Sequence, residues 1–183
     1  KVYTIHDYLP HSGEWKATPL ILNNIYARLD YQFIQHYHFL SASFSDYFNV
    51  PPQRVHTVYC GPLDVYKSFV NGEVNEESST ILFFGRISRY KGLDYLIQAF
   101  SEVKKTIPHT KLIIAGRGDF RFVSENDGSC EIYNRHISNA ELVHCIQRAT
   151  IIFTRYSDST HSAVIMTAYS FSKPGVASSV GGI

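Results

Sequence analysis

Short apolar runs alternate along this chain with stretches in which apolar residues recur every three or four positions. Val2 to Ile5 is a strand-like run ending at His6-Asp7. Thr18-Pro19 reads as a helix start, with the hydroxyl at the N-cap and Pro at the first helical position. Ile21, Leu22, Ile25, Tyr26 and Leu29 then fall on one face of that helix and predict its buried side. Phe33 to Gln35 predicts a short strand, Phe39 to Phe48 a helix stopped before Pro51-Pro52, and Val55 to Tyr59 a third strand.

The polar, acidic segment 71-NGEVNEESST-80 interrupts this pattern and carries a turn signal at Asn71-Gly72, so it predicts a linker or domain boundary. Beyond it the alternation becomes regular. Ile81 to Phe84 is apolar throughout, as expected of a strand buried on both faces of a parallel sheet. Leu93, Leu96, Ile97, Phe100 and Val103 form a helical stripe closed by Pro108; Leu112 to Ala115 is the next strand and Glu131 to Tyr133 a weaker one. Ser138-Asn139-Ala140-Glu141 has the form of a capping box before Leu142, Val143, Ile146 and Ala149. A strand over Thr150 to Thr154, a helix from about Thr160 to Phe171 and a strand over Gly175 to Ser178 complete the series. Strand and helix alternating at this spacing predict a doubly wound parallel sheet of Rossmann-like α/β type.

Composition adds exclusions. In 183 residues, 44% are apolar and 18% charged, enough to build a core, and the net charge of +1 with scattered basic residues gives no footprint for nucleic acid. The three cysteines, Cys60, Cys130 and Cys145, have neither the even number of a disulfide framework nor C-x-x-C spacing, which fits a reducing cytoplasm. No apolar stretch is long enough to span a bilayer. The chain opens on Lys1 and stops on Gly-Gly-Ile, and both ends read as truncations. The nine histidines form no H-E-x-x-H; His36 and His38 fall on one strand face and could pair, but a third metal ligand is not evident. No Asp-x-Asp occurs, which counts against a metal-dependent transferase of single-domain type.

In an open parallel sheet, ligands bind beyond the carboxyl ends of the strands. After the first strand of the second half comes 85-GRISRYKG-92, where Gly85 gives a tight exit. Arg86 and Lys91 are either a diphosphate clamp, fork plus point charge, or solvated loop charges. The loop lacks the order of a Walker P-loop. After the second strand, Gly116 and Gly118 of 116-GRGDF-120 permit close approach of backbone to a ligand, or simply a tight turn. Arg135, His136 and Ile137 follow the third strand, where a backbone edge could meet a nucleobase. The segment 156-YSDSTHSAV-164 leads into a helix whose amino end is a natural phosphate seat, with Thr160 and Ser162 adding hydroxyls; ordinary N-capping is the alternative. His6 at a strand end, beside Asp7, is either structural or catalytic. No G-x-G-x-x-G loop follows any strand, against a dinucleotide site.

Taken in order, these pieces resemble family 4 glycosyltransferases. The resemblance is carried by 83-FFGRISRYKGLDYLIQAF-100, 112-LIIAGRG-118, 134-NRHISNAEL-142 and 156-YSDSTHSAVIMTAYSFSKPGVASSVGGI-183, with 4-TIHDYLPHSG-13 similar to the T-x-H-D loop of the acceptor-side domain. It implies the GT-B fold: residues 1–70 as the end of an acceptor-side Rossmann-like domain with its linker, and 71–183 as a donor domain incomplete at its carboxyl end. It implies retaining transfer of a sugar from a nucleotide-diphosphate sugar to a carbohydrate, lipid-linked or other glycan acceptor, in polysaccharide or glycoconjugate synthesis, without a required metal. The corresponding location is cytoplasmic, at or near the inner face of the membrane, with any peripheral membrane contact made by a missing amino-terminal part.

The residue roles implied follow the motifs. Gly85, Arg86 and Lys91 would hold the donor diphosphate, with Arg86 and Lys91 acting in catalysis; Gly116 and Gly118 would line the donor site. The chain at His136 and Ile137 would meet the base, Ser162 and its neighbours would cradle the distal phosphate, and His6 would reach the reacting sugar. The sequence departs from the family where two glutamates commonly stand, at Ser159 and Thr167, with Asp158 beside the first and able to cover part of its role; Thr160 completes this donor-binding set. Ala163 replaces a usual Gly, and Thr154-Arg155 a Leu-Pro. A binding homologue without catalysis is the alternative these departures suggest.

Overall fold

The computed structural model describes residues 1–9, 17–88, 91–119, 128–157 and 162–180. Internal contacts divide the chain into two compact units, one built on Lys1–Gly61 and one on Pro62–Ser157 with Ala163–Ser179.

The first unit carries β1 (Val2–Thr4), α1 (Ala17–Arg28), β2 (Gln32–Gln35), α2 (His38–Phe48) and β3 (Val55–Thr57). The three strands pair in parallel in the order β1-β2-β3. Phe33 from the central strand and Phe44 from α2 are fully buried with ring centroids 5.1 Å apart, and Ile5, Ala27 and Val50 complete the core. The carboxyl end of α1 is capped by a distant cation. Arg54 Nε donates to the Tyr31 carbonyl at 2.9 Å, and the same guanidinium donates to the carbonyls of Leu29 and of Ala27, the last lying in the final turn of α1, where carbonyls lack intrahelical partners.

The helix expected after Thr18 forms, but its expected buried face does not. Ile21, Ile25 and Leu29 are exposed, and α1 turns Asn23 and Ala27 inward instead. The reason lies in Tyr26. Its ring packs 4.5 Å from Tyr3 and 5.5 Å from Tyr31, which rotates the helix so that the flanking small and polar residues meet the sheet.

The second unit carries β4 (Thr80–Phe84), α3 (Leu93–Thr106), β5 (Lys111–Gly116), β6 (Cys130–Asn134), α4 (Asn139–Arg148), β7 (Ile151–Thr154), α5 (Ala163–Ser170) and β8 (Gly175–Ala177). All five strands run parallel, in the order β6-β5-β4-β7-β8. Register explains the apolar run of β4. Leu82 and Phe84 stand beside Ile113 and Ala115 and pack against α4 and α5 through Ile146, Val164 and Ala168. Phe83 stands beside Ile114 on the opposite face and packs against Leu93, Leu96 and Phe100 of α3. The sheet is therefore doubly wound, and truncating Leu82 to Ala would cost about 2–5 kcal/mol. The capping box forms as expected: Glu141 N donates to Ser138 Oγ at 3.3 Å while Ser138 N donates to Glu141 Oε2 at 2.9 Å.

The break between units falls after Gly61, ahead of the polar segment expected to be the linker. Residues of that segment are fastened to the sheet. Glu77 N donates to the Arg148 carbonyl at 2.8 Å, Thr150 Oγ1 to the Glu77 carbonyl at 2.8 Å, and Lys173 Nζ to Glu76 at 2.6 Å. The Glu77 carboxylate accepts from Arg148 and from Lys111, and Arg148 also reaches Glu131 at 2.5 Å. The acidic composition that suggests a solvated linker is thus spent on ion pairs at the amino ends of the strands. Among the described residues no helix is long and apolar enough to cross a membrane.

Candidate functional site

The carboxyl ends of β4, β5 and β6 are laced together beyond the strands themselves. Gly85 N donates to the Ala115 carbonyl at 3.0 Å and Ile87 N to the Arg117 carbonyl at 2.9 Å, so parallel pairing continues into the loops through a bridge between Ile87 and Gly118. The Asn134 side chain closes the set from β6, accepting from Gly118 N and donating to the Gly118 carbonyl, both at 3.1 Å. From the sequence, Gly116 and Gly118 serve either close approach of a ligand or a tight turn. The structure fills the space beside them with backbone: a Cβ on Gly116 would strike the Gly85 carbonyl oxygen, and one on Gly118 the Ile87 carbonyl oxygen. These glycines border the site, and their missing side chains make room for the neighbouring loop.

Gly85 leaves β4 with φ 107, a left-handed conformation that favours glycine. Lys91 folds back over it, with Nζ 3.0 Å from where a Gly85 side chain would begin and 5.4 Å from the centroid of the Tyr156 ring. Tyr156 is itself buried, and its backbone is clasped by Ser178 Oγ, which accepts from Tyr156 N at 2.9 Å and donates to the Tyr156 carbonyl at 2.8 Å. Gly92, with φ 66, starts α3 against Arg155, whose guanidinium lies 3.7 Å from the centroid of the Tyr95 ring.

A cavity of about 660 Å³ opens over this floor. It is lined by Gly85, Arg86 and Lys91 from the first loop, Gly116, Arg117 and Gly118 from the second, Arg135, His136 and Ile137 from the third, and Ala163, Val164 and Thr167 from α5, with Tyr66 at its side. Among these lining residues four are cations and none is Asp or Glu. Arg135 is held by Glu141 at 2.6 Å and donates to the His136 carbonyl at 3.0 Å, which fixes the loop before α4. The Arg135 guanidinium and the Ser138 backbone N–H hold the Glu141 carboxyl down to about 2, so this tie persists across the neutral range.

The cavity thus gathers Gly85, Arg86, Lys91, Gly116, Gly118, His136, Ile137 and Thr167. Thr167 is buried, and its hydroxyl donates to the Ala163 carbonyl at 2.8 Å, which leaves it only lone pairs to offer. Ser162 directly precedes α5, is buried, and is not among the lining residues. Asp158, Ser159 and Thr160 lie outside the described residues. His6, two residues beyond β1 in the first unit, is exposed, with Nδ1 3.2 Å from His36 Nε2. His36 and His38, which could pair from one strand face, do not share one: His38 opens α2 and its Nδ1 lies 3.3 Å from Thr57 Oγ1. Among the described residues no cluster of three or more His, Cys, Asp or Glu side chains could hold a metal.

The sequence alone does not single out Tyr66, Arg117 or Tyr156. Tyr156 could have been found from its place after the β7 run, where strand-end loops carry ligand contacts. Tyr66 sits in a short 3-10 segment, Asp64–Phe69, with no periodic signal.

Comparison with known proteins gives this geometry its setting. Residues 78–183 match the family of glycosyl transferases group 1. An uncharacterized glycosyltransferase of Methanocaldococcus jannaschii is 29% identical over 154 residues, covering 74% of this chain and 39% of the relative. Among solved structures, the pneumococcal O-GlcNAc transferase GtfA in complex with UDP and GlcNAc superposes with TM-score 0.70 at 14% identity, over 98% of this chain and 37% of that one. Anabaena HepE in complex with UDP and glucose does so with TM-score 0.68 at 19% identity, over 99% and 53%. The chain therefore spans about half or less of the length of these relatives. It has the parallel-sheet architecture of GT-B glycosyltransferases and belongs to the glycosyl transferases group 1 family.

Proposed function

We propose that the protein carrying this chain transfers a sugar from a nucleotide-diphosphate sugar to a glycan or lipid-linked acceptor, with retention of configuration and without a required metal, in the manner of family 4 glycosyltransferases. The observation that carries this reading is the cavity at the carboxyl end of β4, β5 and β6, lined by Arg86, Lys91, Arg117 and Arg135 and by no carboxylate. Its volume of about 660 Å³ is in the range of small-molecule sites. Breaking the bond between sugar and diphosphate puts charge on the leaving phosphate oxygens. Cations already in place need no reorganisation to stabilise that charge. Lys91, held over Gly85 and the Tyr156 ring, is such a group, and Arg86 adds a planar fork.

In this reading residues 71–183 form the donor side and residues 1–70 belong to the acceptor side, with His6 reaching the reacting sugar. Ser162 and the neighbouring Asp158, Ser159 and Thr160 take the distal phosphate and sugar hydroxyls, while His136 and Ile137 meet the base. Polysaccharide or glycoconjugate synthesis at the cytoplasmic face of a membrane is the proposed setting. A second reading, donor binding without turnover, is favoured by Thr167, whose hydroxyl proton is committed to Ala163. Sugar transfer by the full-length protein, measured with and without a metal chelator, separates the two. Turnover that survives chelation and falls at least tenfold in Arg86→Ala supports the proposal. Donor binding with no turnover supports the second reading.

A further inference from the structure

The segment Asp64–Phe69 stands ahead of the polar stretch whose composition predicts a linker, yet it is built into the second unit. Leu63 N donates to the Met166 carbonyl of α5 at 3.2 Å, and Tyr66 N donates to the Leu63 carbonyl at 3.2 Å, so two backbone bonds lead from α5 to Tyr66. The segment is braced within itself by an ion pair between Lys67 and Asp64 at 2.9 Å and by Ser68 Oγ, which donates to the Val65 carbonyl at 2.7 Å. It lies against both α4 and α5, and it brings the half-buried Tyr66 to the side of the cavity.

Two chemistries line that cavity. Arg86, Lys91 and Arg117 come from the loops after β4 and β5. Phe84 and Val164 belong instead to the apolar cluster that joins the sheet to α4 and α5, and Ile137 and Leu142 pack against the same cluster. The two chemistries meet at Gly85. The point where a Gly85 side chain would begin lies 3.0 Å from Lys91 Nζ and 3.9 Å from Val164 Cγ2. A diphosphate held there by Lys91 has apolar surface directly beside it. Of the three parts of a nucleotide sugar, the base is the one with flat faces that gain from such a surface, and aromatic side chains are the groups that stack on them. Phe84 is buried in the sheet, whereas Tyr66 keeps part of its surface open at the cavity.

We propose that Tyr66 is a binding residue for the nucleobase: its ring forms a wall of the apolar part of the cavity, and the base stacks on it, with Ile137 and Leu142 as its apolar neighbours. This rests on the reading of the cavity as a nucleotide-sugar site. It adds to that reading a residue from a segment with no motif of its own, and it predicts that the base and the diphosphate are held by separable groups.

The test is calorimetric titration of the full-length protein at fixed salt with inorganic pyrophosphate and with the uridine, thymidine, guanosine, adenosine and cytidine diphosphates, the tightest of the five being carried to the variants. Tyr66→Ala is expected to weaken that nucleotide at least about fivefold, the lower bound for removing an aromatic ring that stacks on a base, and to leave pyrophosphate within about twofold of wild type. Tyr66→Phe keeps the ring and is expected to stay within about twofold for both ligands. Tyr66→Leu keeps apolar bulk without the flat face and is expected to follow Tyr66→Ala. Nucleotide affinity unchanged in Tyr66→Ala overturns the proposal, as does a loss in Tyr66→Phe equal to that in Tyr66→Ala. Pyrophosphate affinity that falls in step with the nucleotide's overturns the assignment to the base. A wild type that binds none of the five nucleotides more tightly than pyrophosphate overturns the nucleotide reading, and this inference with it; the other failures leave that reading standing.

Discussion

The ammonium of Lys91 stands 3.0 Å from the point where a side chain on Gly85 would begin. One residue thus leaves open the space that the other's charge occupies, and the φ of 107 at Gly85 is what turns the loop so that Lys91 can return across it. Gly85→Ala is expected to displace Lys91 and to strain the backbone by about 1–3 kcal/mol. Nucleotide affinity should fall at least tenfold, and Lys91→Met should cost much less in Gly85→Ala than in wild type, because the two substitutions remove one arrangement. Isothermal titration of the two single variants and the double variant checks this; additive losses would show that Gly85 acts independently of Lys91.

Gly116→Ala tests the lacing of the loops. Its Cβ meets the backbone of Gly85, which cannot rotate away, so the cost is expected as overpacking of about 1–3 kcal/mol, with the cavity floor disturbed as well. Urea unfolding measures the first effect. Gly128→Ala, where no atom lies within 4 Å but φ is 73, is the comparison that carries backbone strain without collision.

Much of the second unit could be read in advance because its signals are local. The apolar run of β4 reports burial on both faces, and Ser138 with Glu141 marks the start of α4. The first unit was harder to read. The stripe of Ile21, Ile25 and Leu29 predicts the helix but not its orientation, since contacts of Tyr26 with Tyr3 and Tyr31 decide which face meets the sheet. The same limit applies to the site. Arg86 and Lys91 stand out by charge at a strand end, whereas the pairing of His6 with His36 joins residues far apart in sequence. Glu77 looks like linker composition until β4 and α4 bring Arg148 beside it.

Glu77 also gives a dependence on pH. Hydrogen bonds from Arg148, then from Lys111, hold its carboxyl at about 2 instead of 4.5, and Arg148 lowers Glu131 as well. A folded value below the unfolded one means the stabilisation is complete above the unfolded value and is lost as pH falls toward the folded one. Stability is therefore expected to decline between about pH 4.5 and about pH 2, and Glu77→Gln to flatten part of that decline while lowering stability at neutral pH. Urea unfolding across this range measures it. Parallel pH profiles for wild type and Glu77→Gln would contradict the assignment.

On the proposed reading, the cavity bordered by Arg86 and Lys91 is built for a nucleoside diphosphate. The most direct measurement is calorimetric titration of the full-length protein with a nucleoside, its monophosphate and its diphosphate at fixed salt. The diphosphate is expected to bind at least tenfold more tightly than the monophosphate, and the nucleoside weakest, because each charge-assisted contact to phosphate contributes about 1.5–3 kcal/mol. In Arg86→Ala and Lys91→Ala the advantage of the diphosphate should shrink while nucleoside binding stays near wild type. Equal affinity for all three ligands, or a diphosphate advantage untouched by both substitutions, would contradict the claim.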